Sequence, residues 1–433
     1  MGSLLKSKNV KNAGWIIGEQ IFQMLVSFVI GIISARYLGP SNYGALNYTA
    51  SFVVFFTSVA SLGMHGVVVK KLIVNPEQEG LYLGSSMIFR VVSSLISSVL
   101  ILLMVYLLDI GDVLKVYLAG LQSIQLVFQA VNILDAWFQR HLKAKFVSLA
   151  KMLACIVVSC YKVYLLVAAK SVVWFAFSNS LTSIIIAVVL FLIYRKQGGQ
   201  RFSYSFDVGR EVLCESWHFI ISGLMVAIYG QIGKIIVGQY MDDMDVGFYT
   251  MAGSLCAMWL FIPIAIINSM QPTIIEYKHQ GNEMLYSLRL HQLYSLLIWL
   301  CILVSVVVWF VGEYIVLFLY GEEYMPAVAP LQILIWSEVF SVLGTARGIW
   351  ILSESKNKYV KYYLAIGAVF SVILNFILIP KYGIIGASIV TVLTQIVTSM
   401  IAPLFFKATR IHTKIIIDSF LLKWFFDKNK VLK

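Results

Sequence analysis

The chain has 433 residues, of which 60% are hydrophobic and 12% are charged, and its mean hydropathy is +0.86. Soluble domains carry charges on about a quarter of their residues, so this composition excludes a soluble protein and indicates an integral membrane protein. The net charge of +12 would suggest a nucleic-acid partner if the basic residues clustered in a soluble domain. They lie between apolar runs instead, so no nucleic acid is expected.

Apolar runs of about twenty residues, the length that crosses a bilayer as a helix, recur along the whole chain. The twelve predicted spans are 14–36, 45–69, 82–108, 114–135, 146–168, 173–194, 217–240, 247–270, 291–319, 328–351, 359–379 and 384–406. Runs such as 181–194 lack the period-two alternation that is typical of transmembrane barrels. The predicted fold class is therefore an all-α polytopic membrane protein.

A reversal broken by Gly39 and Pro40 separates the first two spans, because proline lacks the amide hydrogen and disfavours helical geometry in the preceding residue. Parts of the first half recur in the second half at offsets of about 203 and 213 residues, which indicates an internal repeat. The matching pairs are Tyr37 with Tyr240, Gly44 with Gly247, Trp137 with Trp350, Lys143 with Lys356, and Lys145 with Lys358.

The repeat predicts two pseudo-symmetric six-helix bundles of the same membrane orientation. We expect an N-terminal bundle at 1–200, a cytoplasmic linker at 201–216, a C-terminal bundle at 217–406 and a cytoplasmic or interfacial amphipathic tail at 407–433. Within the linker, the segment FDVGREVLCESW is compatible with a short helix along the membrane face and with a solvated connection.

Lysine and arginine occupy the N-terminus, every second loop and the tail, whereas the alternate loops hold acids such as Asp109, Asp242 and Glu322. Basic loops mark the cytoplasmic side of a membrane protein. Both termini are therefore expected in the cytoplasm.

Polar side chains recur at helical spacing inside several spans, where they mark either a helix interface or a watery cavity. The fourth span carries the clearest row, namely Gln122, Gln125, Gln129 and Asn132. Lys162 and Lys234 lie several turns from the cytoplasmic ends of their spans, where an unpaired ammonium costs about 2.5 to 3.5 kcal/mol. We expect at least one of these two lysines to face an aqueous cavity.

Basic residues outnumber acids inside the spans, and a cationic cavity attracts an anionic solute such as a phosphate or pyrophosphate. The candidate substrate-binding residues are Lys234, Lys162, Arg90, Arg347, His65, Gln122, Gln125, Gln129 and Asn132. Glu19 is the candidate for binding a coupling ion, either H⁺ or Na⁺. In the alternative interpretation, the arginines snorkel to the membrane boundary and the glutamines bond neighbouring helices.

The chain has no phosphate-cradling Gly-rich loop, HExxH motif or Ser/His/Asp grouping. Its five cysteines form no CxxC pair. The sequence therefore predicts no enzyme activity, catalytic residue, metal site or cofactor, leaving only H⁺ or Na⁺ as a coupling ion.

Two stretches, ARYLGPSNYGALNYTASFVVFFTSVASLGMHGVVVKKL at 35–72 and SWHFIISGLMVAIYGQIGKIIVGQYMDDMDVGFYTMA at 216–252, resemble the Wzx-type polysaccharide flippases of bacterial O-antigen and capsule pathways. These flippases belong to a superfamily that includes multidrug and toxin extruders and the lipid II flippase. The chain departs from the family pattern at His218, where members often have proline, and at Gly233, where many have aspartate.

The resemblance implies two six-helix bundles around a central cavity, in the bacterial cytoplasmic membrane. It also implies that the protein moves undecaprenyl-pyrophosphate-linked oligosaccharide repeat units from the cytoplasmic to the outer leaflet by alternating access. The implied partners are this lipid-linked oligosaccharide, membrane lipids and other membrane proteins of polysaccharide assembly.

Two other functions are compatible with parts of the pattern. A multidrug or cation antiporter of the same superfamily would export cationic dyes. A membrane-embedded polymerase or acyltransferase would carry a long outer loop with arginines, whereas the outer loops here are short and acidic. The sequence does not distinguish an O-antigen from a capsule pathway.

Overall fold

A computed structural model describes the backbone of residues 8–422 and the side chains of residues 12 and 14–422. The part of the predicted tail beyond residue 422 lies outside these described residues. The described chain is helical and contains no strand. It divides into two compact units, Met1–Ala227 and Ile228–Lys433.

Unit 1 contains seven complete helices among its described residues, together with the start of an eighth. They are α1 (Lys8–Ala60), α2 (His65–Val74), α3 (Glu79–Leu108), α4 (Val113–Gln129), α5 (Leu134–Arg140), α6 (Ala144–Val167), α7 (Val172–Lys196) and α8 (Phe206–Tyr240), which continues into unit 2. A 3₁₀ turn at Ala130–Ile133 joins α4 to α5, so these two helices form one span.

Unit 2 begins within α8. Its other helices in the described part of the chain are α9 (Asp243–Met258), α10 (Phe261–His279), α11 (Glu283–Tyr320), α12 (Val328–Leu334), α13 (Ser337–Ser353), α14 (Val360–Ile396) and α15 (Arg410–Phe420). A π-helical turn, Val397–Ile401, follows α14.

The described residues hold nine helical stretches that are long and apolar enough to cross a membrane. The pair Glu322–Leu334 and Ser337–Ser353 passes the same test as one span with a bend of 46°. Two of the nine stretches contain a glycine with non-helical backbone, and dividing them there brings the count to twelve. The prediction of an all-α polytopic protein with twelve spans is confirmed.

The predicted reversal between the first two spans lies inside α1. Gly39 has φ 68° and ψ 168°, a conformation that a residue with a Cβ rarely adopts, and Pro40 follows it directly. A second break of this kind occurs at Gly383 in α14, with φ 56° and ψ −137°. Both glycines let the chain turn sharply between two spans without an extended loop.

Helix α8 begins earlier than the predicted seventh span, at Phe206 instead of residue 217. Its first turns pack on unit 1, since Val212 and Ser216 are fully buried and Lys71 forms ion pairs with Glu211 and Glu215. The segment FDVGREVLCESW of the predicted linker is thus a helix that continues into a membrane span. The predicted domain limits stay predictions, and the division between the compact units falls within this helix.

Each unit has its own core. In unit 1, Trp137 and Phe138 of α5 pack with Leu83 and Tyr194, and the indole nitrogen of Trp137 donates to the buried Glu79 carboxylate over 2.7 Å. In unit 2, α11 and α13 pack through residues such as Leu293, Leu297, Leu343 and Trp350. The two tryptophans that the repeat pairs with each other therefore both lie in a core.

Candidate functional site

A polar pocket of about 220 Å³ lies in unit 1, at the end of the first span. Its titratable side chains come from four helices: Glu19 from α1, His65 from α2, Asp135 from α5 and Lys151 from α6. The Lys151 ammonium is 3.7 Å from the Asp135 carboxylate, while the second oxygen of that carboxylate is buried without a hydrogen-bond partner among the described residues. The pocket thus collects acids and bases from separate parts of the sequence.

The local structure explains why these side chains meet. Asp135 lies in the first turn of α5, directly after the 3₁₀ turn that breaks the fourth span. His65 is the first residue of α2, which follows the turn at 61–64, so its ring sits at a helix end. Glu19 is almost fully buried, so the pocket wall desolvates its carboxyl group.

Arg90 is buried beside this pocket and lies within electrostatic range of Asp135 and His65. Its guanidinium donates to the Gln129 carbonyl over 3.1 Å, while its Nε has no partner among the described residues. The Gln129 amide donates to the Gln125 side chain over 3.3 Å. The structure therefore places Glu19, His65 and Arg90 close to the Asp135–Lys151 pair, and it connects Gln125 and Gln129 to Arg90 only through the Gln129 backbone carbonyl.

Three other predicted residues of unit 1 lie outside this group of contacts. Gln122 is fully buried and its amide donates to the Leu46 carbonyl and the Thr49 hydroxyl, so it joins α4 to α1, as the alternative interpretation holds. Asn132 has a buried side-chain oxygen with no hydrogen-bond partner in the described chain. Lys162 is half-buried, forms no ion pair with any described residue, and lies near Cys155.

In unit 2, Lys234 lies on α8 and is half-buried. It forms no hydrogen bond or ion pair with any described residue. The backbone beside it, at Gly233, faces α9 and α14, since a methyl group there would stand 3.4 Å from the Tyr249 hydroxyl and 3.6 Å from the Asn375 amide oxygen. Lys234 is thus an ammonium within a membrane span that no acid of the described chain neutralises.

Around this position, polar side chains of unit 2 are only partly satisfied. The Tyr249 hydroxyl bonds the Thr391 hydroxyl over 2.8 Å, and the Asn375 amide donates to Ser371. The Asn375 oxygen and the Thr394 hydroxyl are buried without partners among the described residues. Sequence analysis missed these residues, although an asparagine inside the apolar eleventh span is a signal that could have drawn attention to them.

Arg347, the other predicted residue of unit 2, is held within the protein. Its guanidinium donates to the Thr398 carbonyl over 2.6 Å and lies over the Tyr363 ring at 4.7 Å. Thr398 belongs to the π-helical turn, where the regular i to i+4 bonding is interrupted and carbonyl groups become available. Arg347 therefore stabilises the junction of α13 and α14.

Asp135 and Lys151 are the site residues of unit 1 that sequence analysis did not propose. Asp135 ends the fourth predicted span and Lys151 lies in the fifth, and only their closeness in the folded chain identifies them as a pair. A charge in each of two consecutive spans was the available signal, because intramembrane charges usually pair with one another. In the described part of the chain, no group of three or more His, Cys, Asp or Glu residues is arranged to hold a metal ion.

Solved structures share this fold over nearly the whole chain. The chain matches a structure described as "Lipid II flippase MurJ, inward closed conformation" with a TM-score of 0.74 and 15% identity, covering 94% of this chain and 92% of that one. It also matches an inward-facing multidrug resistance MATE family transporter of the MOP superfamily with a TM-score of 0.67 and 13% identity, over 93% and 98% of the two chains. These likenesses support the two-lobe transporter fold.

Sequence comparisons identify the family. The Capsular polysaccharide biosynthesis protein CapF of Staphylococcus aureus is 18% identical over 411 residues, which cover 92% of this chain and 99% of that protein. The MatE family matches residues 218–377. The family described as "Polysaccharide biosynthesis protein" matches residues 9–278, more than half of the sequence. The predicted resemblance is confirmed, and the chain belongs to this family of polysaccharide biosynthesis proteins as a multi-pass membrane protein.

Proposed function

We propose that the protein is a flippase that carries undecaprenyl-pyrophosphate-linked oligosaccharide repeat units from the cytoplasmic to the outer leaflet by alternating access. Family membership supports a role in polysaccharide biosynthesis. The matched relatives include a capsular polysaccharide biosynthesis protein and a lipid II flippase, which supports a lipid-linked sugar as the cargo. The repeat unit would belong to an O-antigen or a capsule.

The observation that carries this proposal is the lone ammonium of Lys234. An unpaired charge within a span costs about 2.5 to 3.5 kcal/mol, so a lysine at this position indicates an anion that binds during transport. A pyrophosphate carries the complementary charge. Lys162 of unit 1 also lacks an acidic partner among the described residues, so it is a second candidate contact for an anionic group.

The pocket of unit 1 supports a separate role in energy coupling. Glu19, His65 and the Asp135–Lys151 pair are groups that can gain or lose a proton or bind a cation. We assign the coupling ion, H⁺ or Na⁺, to Glu19. Glu19→Gln should make transport independent of the ion gradient, measured in proteoliposomes with and without an imposed gradient. Transport that still follows the gradient in this variant would remove Glu19 from the role.

The proposal places the protein in the bacterial cytoplasmic membrane with both termini in the cytoplasm, because the basic loops alternate with acidic ones. Membrane lipids and other membrane proteins of polysaccharide assembly are its proposed partners.

The test is a gene deletion that is complemented with single variants. The deletion should accumulate lipid-linked repeat units inside the cell. Lys234→Ala and Lys162→Ala should each fail to restore surface polysaccharide at normal membrane abundance, whereas Lys234→Arg should restore part of it. Lys381→Ala serves as the control, because this lysine is exposed at the turn between the last two spans. Full activity of both alanine variants would contradict the proposal.

A multidrug exporter is the competing function, since the MatE family matches part of the chain. Cells that express the protein should show no added efflux of cationic dyes. Efflux that depends on Glu19 but not on Lys234 would favour the exporter instead.

A further inference from the structure

Helix α15 is anchored to unit 2 by one face and exposes apolar side chains on another. His412 bonds the Tyr294 hydroxyl over 2.7 Å, and the Ser295 hydroxyl donates to the Ser419 carbonyl over 2.8 Å. On the flank next to this face, Ile417 and Phe420 are 44% and 46% exposed. A surface helix with this pattern, placed directly after the last span, lies in the membrane interface with its apolar face in lipid.

Two apolar grooves flank this helix within unit 2. One, of about 470 Å³, is lined only by hydrophobic side chains, among them Trp336, Phe340, Ile417 and Phe420. The other, of about 640 Å³, is lined mainly by side chains of α11 such as Trp299. Phe420 and Trp299 stack on each other with ring centroids 5.9 Å apart and planes at 2°. This stacked pair of rings therefore separates the two grooves and forms a partition between them.

Exposed cations lie at the start of the same helix. Lys407 and Arg410 are exposed and form no ion pair with any described residue. The Arg410 Nε donates to the Leu404 carbonyl over 2.7 Å, which fixes the guanidinium. Arg410 precedes Ile417 by two helical turns, so it shares the face that borders the first groove.

We propose that this surface binds one anionic diacyl phospholipid, with one acyl chain in each groove and the phosphate at Lys407 and Arg410. Two grooves on either side of a partition match the two chains of a diacyl lipid, whereas a polyprenyl lipid has a single chain. The two cations, free of acidic partners in the described chain, favour an anionic headgroup over a zwitterionic one. This binding site is separate from the proposed transport residues.

The first experiment measures retained lipid by native mass spectrometry. The protein is reconstituted in equal parts of phosphatidylglycerol and phosphatidylcholine and is then delipidated in detergent. We expect one retained phosphatidylglycerol, and at least fivefold less of it in the Lys407→Ala/Arg410→Ala variant. The Lys356→Ala/Lys414→Ala control removes the same charge from a polar cavity on the other side of α15 and should retain the lipid.

Equal retention of both lipids, or equal loss in the variant and the control, would overturn the proposal. Undecaprenyl phosphate is added as a competitor, because displacement of phosphatidylglycerol at equimolar amounts would identify a single-chain isoprenoid as the occupant. Retention in the presence of the competitor supports the proposal. None of these readouts depends on transport, so they can succeed or fail independently of the flippase assignment.

The second experiment places the acyl chains. Lipid with brominated chains quenches tryptophan at short range, and Trp299 and Trp336 line the two grooves. Brominated phosphatidylglycerol should quench more fluorescence than brominated phosphatidylcholine at the same mole fraction. This excess should disappear in the Trp299→Phe/Trp336→Phe variant. Equal quenching by both lipids, or an excess that persists in the variant, would contradict the assignment.

Discussion

The two units share a repeated architecture but differ in how the charged residues inside their spans are paired. In unit 1, Asp135 pairs with Lys151, and Glu19, His65 and Arg90 surround the pair. In unit 2, Lys234 has no charged partner in the described chain, and Arg347 is held by a carbonyl and an aromatic ring. The two units thus share the positions of spans and turns but differ in the polar residues inside the spans.

This difference suggests separate roles for the mixed cluster of unit 1 and for the lone lysines, which are Lys234 in unit 2 and Lys162 in unit 1. A cluster with charges of both signs can change its protonation or bind a cation without a large change in solvation energy, which suits ion coupling. A lone cation is unfavourable until an anion arrives, which suits recognition of a phosphate group. The predictions below test this comparison by making similar changes in both units.

The largest effect is expected from replacing the unpaired lysine of unit 2 by methionine. Lys234→Met should lower polysaccharide export at least tenfold. It should also raise stability, by as much as about 2.5 kcal/mol on the insertion scale, because it removes an uncompensated charge. Export assays and chemical denaturation in detergent measure the two effects. Lower stability together with normal export would mean that Lys234 has a structural partner and no role in transport.

The next largest effect concerns the two buried arginines. Arg347→Lys should destabilise the protein by about 2 kcal/mol, since lysine cannot reproduce both the bond to Thr398 and the stacking on Tyr363. Arg90→Lys should cost about half as much, because the nearby Asp135 still attracts the ammonium. Denaturation midpoints in one detergent compare the two variants, and equal losses would contradict this account.

The interaction between Asp135 and Lys151 in unit 1 should be measurable in a double-mutant cycle. Lys151→Met should cost about 1 to 2 kcal/mol, a value between those of exposed and fully buried pairs, because the side chains of Lys151 and Asp135 are 32% and 23% exposed. Adding Asp135→Asn should recover part of that loss. Additive losses in the double variant would show that the two groups do not interact.

The smallest effect is a dependence of stability on pH at α15. Burial holds the pKa of His412 well below its ordinary value of about 6.5, and the nearby Arg347 guanidinium lowers it further. The folded state therefore keeps this ring neutral, while the unfolded state takes up a proton as the pH falls. Stability should drop by about 1.3 kcal/mol at pH 5.5 relative to neutral pH. His412→Gln should show a weaker pH dependence, and an unchanged one would contradict this explanation.

Much of the fold could be predicted because lipid imposes simple rules on the sequence. Each span needs about twenty apolar residues, so the spans were visible as runs, and the Gly39–Pro40 break was visible as helix-breaking chemistry. The start of α8 was not predicted. Its first turns are amphipathic, with Glu211 and Glu215 facing Lys71 and Val212 facing the core, and this pattern also fits a surface helix or a linker.

The candidate site was predictable only as single residues. The polarity of Glu19, Lys162 and Lys234 stands out against apolar spans, but their partners come from distant parts of the chain. The distance between Asp135 and Lys151 depends on how α5 and α6 pack, which spacing along the sequence does not reveal. Likewise, Gln122 and Gln129 belong to the same row, yet the side chain of Gln122 joins two helices, whereas Gln129 contacts Arg90 through its backbone carbonyl.

The continuity of α8 has a practical consequence for dividing this protein into fragments. The border between the compact units falls in the middle of a regular helix, so a polypeptide cut there would leave two frayed half-helices inside the membrane. A cut in the non-helical stretch 201–205 leaves the whole of α8 on the second fragment. Co-expressed fragments divided within 201–205 should reassemble into an active protein, whereas fragments divided after residue 227 should not.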